Sequence, residues 1–386
     1  MPFDYIKIPL LSFFTGGGFL DMGFERTGIF ETIWTNECDP VFAKFYESGF
    51  SSWLKSSEKD APVRSITNTN KVQDLTGDQI KREAFGAMIP DFFGIIGGPP
   101  CQDFSSMGKK NGFNGDRGKL TKEFLQKVKE IRPSFFVMEN VAGLVHVKKT
   151  KKVFLEHLES LQQDYYLDHF ILNALHYGTP QFRERVFVVG ILKLWVNQAD
   201  ARFYFNEGWF PQPVKNYPDA LSWKFPPQSL FGQIPEKEGD VPPELCVGYH
   251  LVPDKEMQNV PNANEYLKLH TSHEKLCKIK EGETNRQSFK RLHRFKYSPT
   301  VCYGNNEVHL HPYSQRRLSV REALRLQGVP DSYVLDSTGQ LTKKFKMIGN
   351  GVPVPLAEAV AKAVLRFFET YKIIQKKENV GHLVEG

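Results

Sequence analysis

Cysteine is scarce in this chain, with five in 386 residues, at positions 38, 101, 246, 277 and 302, and no two are spaced as a CxxC pair. That spacing suggests neither a zinc cage nor a disulfide framework. His273 with Cys277, and His309 with His311, read as surface or packing residues, and no metal site is expected. No apolar stretch approaches the length of a membrane span, and the amino terminus lacks the charged and apolar regions of a signal peptide. Internal repeats and low-complexity tracts are also missing. A cytoplasmic globule is therefore the expectation.

What is present describes an ordinary globular chain, 40% hydrophobic and 24% charged, with a formal charge of +6. The charge makes a polyanionic partner plausible, although many basic proteins bind none. Its distribution is more informative. Arg286, Lys290, Arg291, Arg294 and Lys296 follow one another without an acid and are interleaved with Phe289, His293 and Phe295. Such a stretch suits phosphate contact with stacking, or equally a solvated basic face.

From Lys7 to about Gly190 apolar runs alternate with amphipathic or polar stretches, which predicts a doubly wound, mostly parallel α/β sheet. Strands are expected at Ile8–Phe14, Glu31–Asn36, Phe92–Ile96, Ser134–Met138, His169–Leu175 and Arg185–Leu192. From about Trp195 to Tyr313 prolines, aromatics and basic residues accumulate and periodicity fades. Helices resume at Ser319–Gln327 and from Pro355 to about Ile374. The division expected is a catalytic and cofactor-binding domain over 1–194, a smaller inserted domain over 195–315, and a return to the first domain over 316–386.

Chemistry concentrates where the apolar runs end. Cys101 follows one of them inside Gly97-Gly98-Pro99-Pro100-Cys101-Gln102-Asp103-Phe104-Ser105. Glycines let the backbone leave a strand sharply, and paired prolines stiffen the turn that presents the thiol. A lone cysteine is otherwise usually a small buried hydrophobe. Glu139 and Asn140 end a second run, and Gln181-Phe182-Arg183-Glu184-Arg185 precedes a third. Thiol, carboxylate and guanidinium at strand ends are what nucleophilic addition to an electron-poor ring requires.

These motifs resemble those of the DNA (cytosine-5) methyltransferases, in order, from Phe14 to Pro355. Pro100-Cys101-Gln102 resembles the family's nucleophile motif, Glu139-Asn140-Val141 its glutamate motif, and Gln181-x-Arg183-x-Arg185 its arginine motif. Arg317-Leu318-Ser319-Val320-Arg321-Glu322-Ala323 and Gly349-Asn350-Gly351-Val352-Pro353 resemble its two closing signatures. The resemblance implies a Rossmann-like fold, S-adenosylmethionine as cofactor and a target recognition domain in the insertion. It also implies a monomer acting on a flipped-out cytosine in double-stranded DNA, and leaves open a cognate restriction endonuclease. Cys101 would add to C6, Glu139 would hold the N3 edge, and Arg183 and Arg185 would face O2 and the nucleophile.

The first strand runs into Phe14-Thr15-Gly16-Gly17-Gly18-Phe19-Leu20-Asp21, where glycines permit close approach of a ligand. A nicotinamide fingerprint would want glycine at Asp21, which disfavours a dinucleotide. Glu37 can accept both ribose hydroxyls and Asp74, taken as a strand-end acid, the adenine amino group; helix capping is the commoner role for either acid. The resemblance extends the cofactor set to Phe14, Gly16, Gly18, Phe19, Cys38, Leu75, Pro100, Leu120, Asn350, Gly351 and Val352. Phe19, Cys38 and Gly351 depart from the family's usual glycine, aromatic, and Ala or Ser.

DNA contacts are expected from Arg286, Arg291, Arg294 and Thr300, and from Ser105, Met107, Lys109 and Arg117 in a glycine-rich loop, Ser105 to Lys119, that would close over the base. Met107 could wedge between base pairs or pack beneath that loop. Three rivals share parts of this pattern: a tRNA cytosine-5 methyltransferase, a catalytically silent DNA-binding regulator, and a hydride-transfer enzyme. The long irregular insertion favours duplex DNA over tRNA, since sequence readout needs a module able to enter a groove.

Overall fold

The computed structural model describes residues 3–5, 7–100, 118–196, 208–236, 239–301, 303, 309–338 and 340–376. A short β1 (Phe3–Tyr5) precedes β2 (Ile8–Phe13), α1 (Phe19–Glu25), β3 (Phe30–Asn36), α2 (Pro40–Ser57) and α3 (Gly77–Phe85). Then come β4 (Gly94–Gly97), α4 (Gly118–Ile131), β5 (Phe135–Val141), α5 (Gly143–His146), α6 (Lys148–Glu159), β6 (Tyr165–Asn173) and β7 (Glu184–Leu192). Regular structure thins out after that, with α7 (Val247–His250), α8 (His273–Cys277) and the paired β8 (Lys290–Arg291) and β9 (His309–Leu310). The chain finishes with α9 (Val320–Arg325), α10 (Leu341–Asn350), α11 (Val354–Thr370) and β10 (Ile374–Lys376), the last beside β1.

The central sheet has the order β3-β2-β4-β5-β7-β6. Its first four strands run parallel, and β7 lies antiparallel to both β5 and β6. Alternate residues of each strand feed two cores, as the two-residue side-chain period requires. Leu10, Phe135, Val137, Phe187 and Val189 pack with α1 and α11 on one face, and Leu11, Phe136, Met138, Val186 and Val188 pack with α4 and α6 on the other. Glycines let adjacent strands carry the largest of these side chains: a methyl on Gly94 would sit 2.2 Å from the Phe135 ring, and one on Gly190 2.1 Å from the Phe136 ring.

The expected strands are present with shifted ends. Strand β5 continues through Glu139 and Asn140 to Val141, so both polar residues belong to the strand, because the antiparallel ladder with β7 extends to the Val141–Arg185 pair. Strand β6 starts at Tyr165, pairing with Leu192, and Leu175 lies in the following 3-10 turn. Helix α9 starts from a complete capping box in which Ser319 and Glu322 satisfy each other's backbone amides. Among the described residues, no helix is long and apolar enough to cross a membrane.

Arginine anchors the irregular region. Arg291 is 0% exposed, and its guanidinium donates to the carbonyls of Ile279 (2.9 Å), Leu276 (2.9 Å) and His311 (2.8 Å) beneath the Phe231 ring. Two backbone segments, Leu276–Ile279 and the one at His311, thus converge on one side chain where helices and sheet are sparse. Replacing Arg291 by Met leaves those buried carbonyls without a donor, so chemical denaturation should report a loss of about 2 kcal/mol or more. A change within the ±0.5 kcal/mol typical of surface positions would contradict this anchoring role.

A second buried group makes a pH-dependent contribution. Asp21 accepts a hydrogen bond from Ser12 Oγ at 2.7 Å beneath the first strand-to-helix turn, and burial pushes its carboxyl from an ordinary 3.8 up to about 7. A raised folded-state value means that the native state holds the proton more tightly. The stabilisation is complete below the unfolded value and is lost as pH rises through about 7. Asp21→Asn, which keeps the acceptor without the charge, should melt about 2 °C or more above wild type at pH 8.5, with the gap narrowing steadily below pH 7 and closing only as pH falls to the unfolded value of 3.8. A gap independent of pH would remove Asp21 from the titration.

Candidate active site

Strand β2 ends at Phe13, and the next residues turn sharply: Phe14, Gly16 and Gly18 have φ of 55°, 57° and 73°. A bulky residue rarely adopts that left-handed conformation, so the strain at Phe14 is held by its surroundings. At Gly18 a side chain is excluded as well, since a methyl there would meet the Tyr46 ring at 2.6 Å. The turn faces Glu37 at the end of β3, whose Oε2 accepts from Gly16 N (3.1 Å) and whose Oε1 accepts from Asp39 N (2.8 Å). Burial raises the pKa of the Glu37 carboxyl, and the two amides oppose that rise. Both oxygens retain acceptor capacity toward a ribose diol.

The other expected cofactor residues divide. Cys38 is exposed beside Glu37, and Asp74 is exposed in a 3-10 turn (Val72–Asp74), which corrects its placement at a strand end. Leu75 is buried beneath that turn, while Pro100 and Leu120 are half-buried. Asn350 is exposed at the end of α10, Gly351 is half-buried, and Val352 is buried. Phe19 is 2% exposed, with its ring edge-on to Tyr333 at 5.5 Å. A methyl on Gly351 would stand 2.3 Å from that ring. The two departures from the family pattern at Phe19 and Gly351 are therefore one packing event, in which the ring occupies the space that a larger residue 351 would need.

Glu139 and Arg185 are brought together by the antiparallel register. Glu139 pairs with Phe187 and Val141 with Arg185, so the carboxylate and guanidinium are diagonal neighbours on one face of the sheet. They meet at 2.8 Å between Arg185 Nε and Glu139 Oε1. Glu139 is 7% exposed; burial raises its pKa, partly offset by Arg185 and then by Arg183. The segment leading to Cys101 runs against this pair. A methyl on Gly98 would lie 3.0 Å from Glu139 Oε2, and Asn140 Nδ2 donates to Pro99 O at 3.3 Å. Asn140 thus holds the entrance to the cysteine loop, a role its place in the glutamate motif did not reveal. Cys101, Ser105, Met107, Lys109 and Arg117 lie outside the described residues.

Several expected contacts are corrected by burial. Arg183 does not share the setting of Arg185; it is 1% exposed and donates to Gly349 O (2.8 Å), Gly351 O (3.1 Å) and Val301 O (3.1 Å). Arg291 is enclosed, as described above, and cannot meet a phosphate. Arg294 is committed to Glu281 at 2.8 Å and lies over the Tyr313 ring, and Arg286 pairs with Glu283 at 2.6 Å while staying exposed. Acids just before the basic run therefore neutralise much of it. Thr300 donates its hydroxyl to Phe182 O at 2.8 Å, tying the irregular region to the entry of β7. His309 and His311 are both buried, and burial depresses the pKa of each to about 3. Gln181, which the arginine motif contains without a role of its own, bonds Val301 N and Leu326 O through its side chain.

The profile of C-5 cytosine-specific DNA methylases matches residues 8–366. Among curated proteins, the chain is 36% identical over 370 residues to the type II methyltransferase M.NmeDI of Neisseria meningitidis serogroup C, covering 95% of this chain and 85% of that one. It is 31% identical over 384 residues to M.FnuDI of Fusobacterium nucleatum, covering 95% and 97%. Among solved structures, the S. pombe Dnmt2 methyltransferase superposes with a TM-score of 0.57 at 16% identity, over 94% of this chain and 99% of that one, a likeness of fold. A Rossmann-like sheet with a glycine turn facing an acid, a Glu–Arg pair at its carboxyl edge and a family match over nearly the whole sequence lead to one conclusion: the chain belongs to the C-5 cytosine-specific DNA methylases and is an S-adenosylmethionine-dependent DNA (cytosine-5) methyltransferase.

Proposed function

We propose that this enzyme is a type II modification methyltransferase that transfers a methyl group to C5 of a cytosine flipped out of duplex DNA, through a covalent adduct between Cys101 and C6. The observation that carries this reading is the packing of Gly98 and Pro99 against Glu139 and Asn140, with Arg185 paired to Glu139. It sets the backbone three residues before the thiol beside the carboxylate that would hold the base.

Cytosine C5 is too weak a nucleophile until the ring is activated, and addition of the Cys101 thiolate to C6 supplies that activation. Glu139, kept protonated to higher pH than an ordinary carboxyl, would hold N3 and the exocyclic amino edge and share its proton as charge builds on the ring. Arg185 would orient Glu139 and face O2. When bound, S-adenosylmethionine supplies an electrophilic methyl group. Glu37 would hold its ribose from one side of the Gly16–Phe19 turn, with Asp74 and Cys38 nearer the adenine. After loss of the C5 proton, elimination from C6 returns the free thiol.

Flipping is needed because C6 is inaccessible in stacked duplex. The glycine-rich basic segment Ser105–Lys119 follows Cys101 directly, which suits a loop that closes over the extruded base, with Lys109 and Arg117 toward phosphates and Met107 toward the vacated stack. The irregular region within 195–315 would read the flanking sequence, and the type II names of the relatives support a cognate restriction endonuclease acting on the same site. The protein would act as a cytoplasmic monomer.

Cys101→Ser should lower methyl transfer to duplex DNA by more than about 10³-fold while DNA and cofactor affinities change little. Duplex carrying 5-fluorocytosine at the target should form a denaturation-resistant complex with wild type and none with the variant. Residual turnover within tenfold of wild type would overturn the nucleophile assignment, and preferential methylation of tRNA in parallel assays would overturn the substrate. Glu139→Gln should cut kcat by about 10²-fold or more and leave S-adenosylmethionine affinity within about twofold. A loss confined to cofactor affinity would move the carboxylate out of the base site.

A further inference from the structure

The Gly349-Asn350-Gly351 segment stands at a junction of three parts of the molecule. A methyl on Gly349 would come 3.2 Å from Tyr303 N and 3.6 Å from Val301 O, against the irregular region, and one on Gly351 would strike the Phe19 ring at 2.3 Å, against the first turn of the cofactor pocket. The two glycines let a single stretch of backbone lie against both neighbours. Their carbonyls are held by the same guanidinium, since Arg183 donates to Gly349 O and Gly351 O through Nη2 and to Val301 O through Nη1.

Arg183 is also two residues ahead of Arg185, which carries the contact to Glu139. Gln181, two residues earlier again, accepts from Val301 N at 3.1 Å and donates to Leu326 O at 3.1 Å. Phe182 N donates to Ser298 O at 2.8 Å. The entry to β7 is thus stitched to the irregular region by alternating backbone and side-chain bonds. A buried cation solvated by carbonyls is stable only while those carbonyls converge, and losing one leaves a desolvated charge short of a partner. Displacement of the Gly349–Gly351 segment is therefore penalised at Arg183 Nη2, and displacement of Val301 is penalised at Nη1 of the same guanidinium.

We propose that Arg183 is a positioning residue that couples the cofactor pocket to the base-holding pair and to the irregular region. Phe19 and Gly351 join the cofactor turn to the Gly349–Gly351 segment, Arg183 joins that segment to Val301, and the short stretch to Arg185 carries the constraint to Glu139. Seating the cofactor steadies Phe19 and with it the convergence of carbonyls on Arg183. DNA then meets a region already fixed in place, and by linkage DNA tightens the cofactor by the same factor. The proposal rests on the reading of Glu139 and Arg185 as the base-holding pair, but its test uses binding alone and so separates it from that reading.

Full-length wild type, Arg183→Lys, Arg183→Met and Arg185→Met would be compared by calorimetry with S-adenosylhomocysteine, and by DNA titration with and without S-adenosylhomocysteine. Wild type should bind a cognate duplex at least fivefold more tightly in its presence. Arg183→Met should weaken S-adenosylhomocysteine binding at least tenfold and reduce the enhancement of DNA binding to under twofold. Arg183→Lys, whose ammonium can reach some of the carbonyls, should recover part of both, and Arg185→Met should keep S-adenosylhomocysteine affinity within twofold. The proposal is overturned if wild type shows no enhancement, or if both Arg183 variants bind S-adenosylhomocysteine as wild type does. If Arg183→Met does not fold, Arg183→Lys decides by the same two readouts. Absence of methylation by wild type, with these binding differences intact, would instead count against the proposed reaction.

Discussion

Everything at the edge where Glu139 meets Arg185 depends on one reversal of strand direction. In a wholly parallel sheet, residues at the start of a strand lie at the edge opposite the site, because ligands gather at the carboxyl ends. Here β7 runs antiparallel between β5 and β6, so its first residues stand beside the last residues of β5. That arrangement lets Arg185 reach Glu139 across the ladder and puts Arg183, just ahead of it, against the returning Gly349–Gly351 segment. A parallel β7 would have placed both guanidiniums at the far side of the sheet.

The same edge shows how arginine can have opposite roles within three residues. Arg185 keeps its side chain at the site and pairs with a carboxylate, whereas Arg183 is drawn into the interior by three carbonyls. Arg291 repeats the second arrangement in the irregular region. In both interior cases the cation organises backbone that lacks a helix or sheet partner, a task suited to a rigid planar fork with several donors.

The glycines act in a complementary way, admitting aromatic bulk where two segments must touch. Gly94 and Gly190 receive the rings of Phe135 and Phe136 inside the sheet, and Gly351 receives Phe19 at the first strand-to-helix turn. At the last position the sequence alone shows two unrelated oddities. In three dimensions each accounts for the other, since a side chain on residue 351 and the Phe19 ring would claim the same volume.

The sequence by itself determined the alternating apolar runs, hence the parallel part of the sheet, and the order of motifs, hence the family. Both are local signals that need only periodicity and spacing. It also marked Glu139 and Arg185 as chemistry at strand ends. Tertiary structure decided which charges are available. Arg286, Lys290, Arg291, Arg294 and Lys296 form one basic run along the chain, yet Arg291 is sealed by carbonyls and Arg294 is neutralised by Glu281, a residue outside that run. Whether a charge faces water or the interior is set by groups brought alongside from other segments, through desolvation and pairing, and no pattern of neighbours in sequence encodes that. For the same reason Asn140 and Gln181 could be read only as parts of motifs until the fold placed Pro99 beside one and Val301 beside the other.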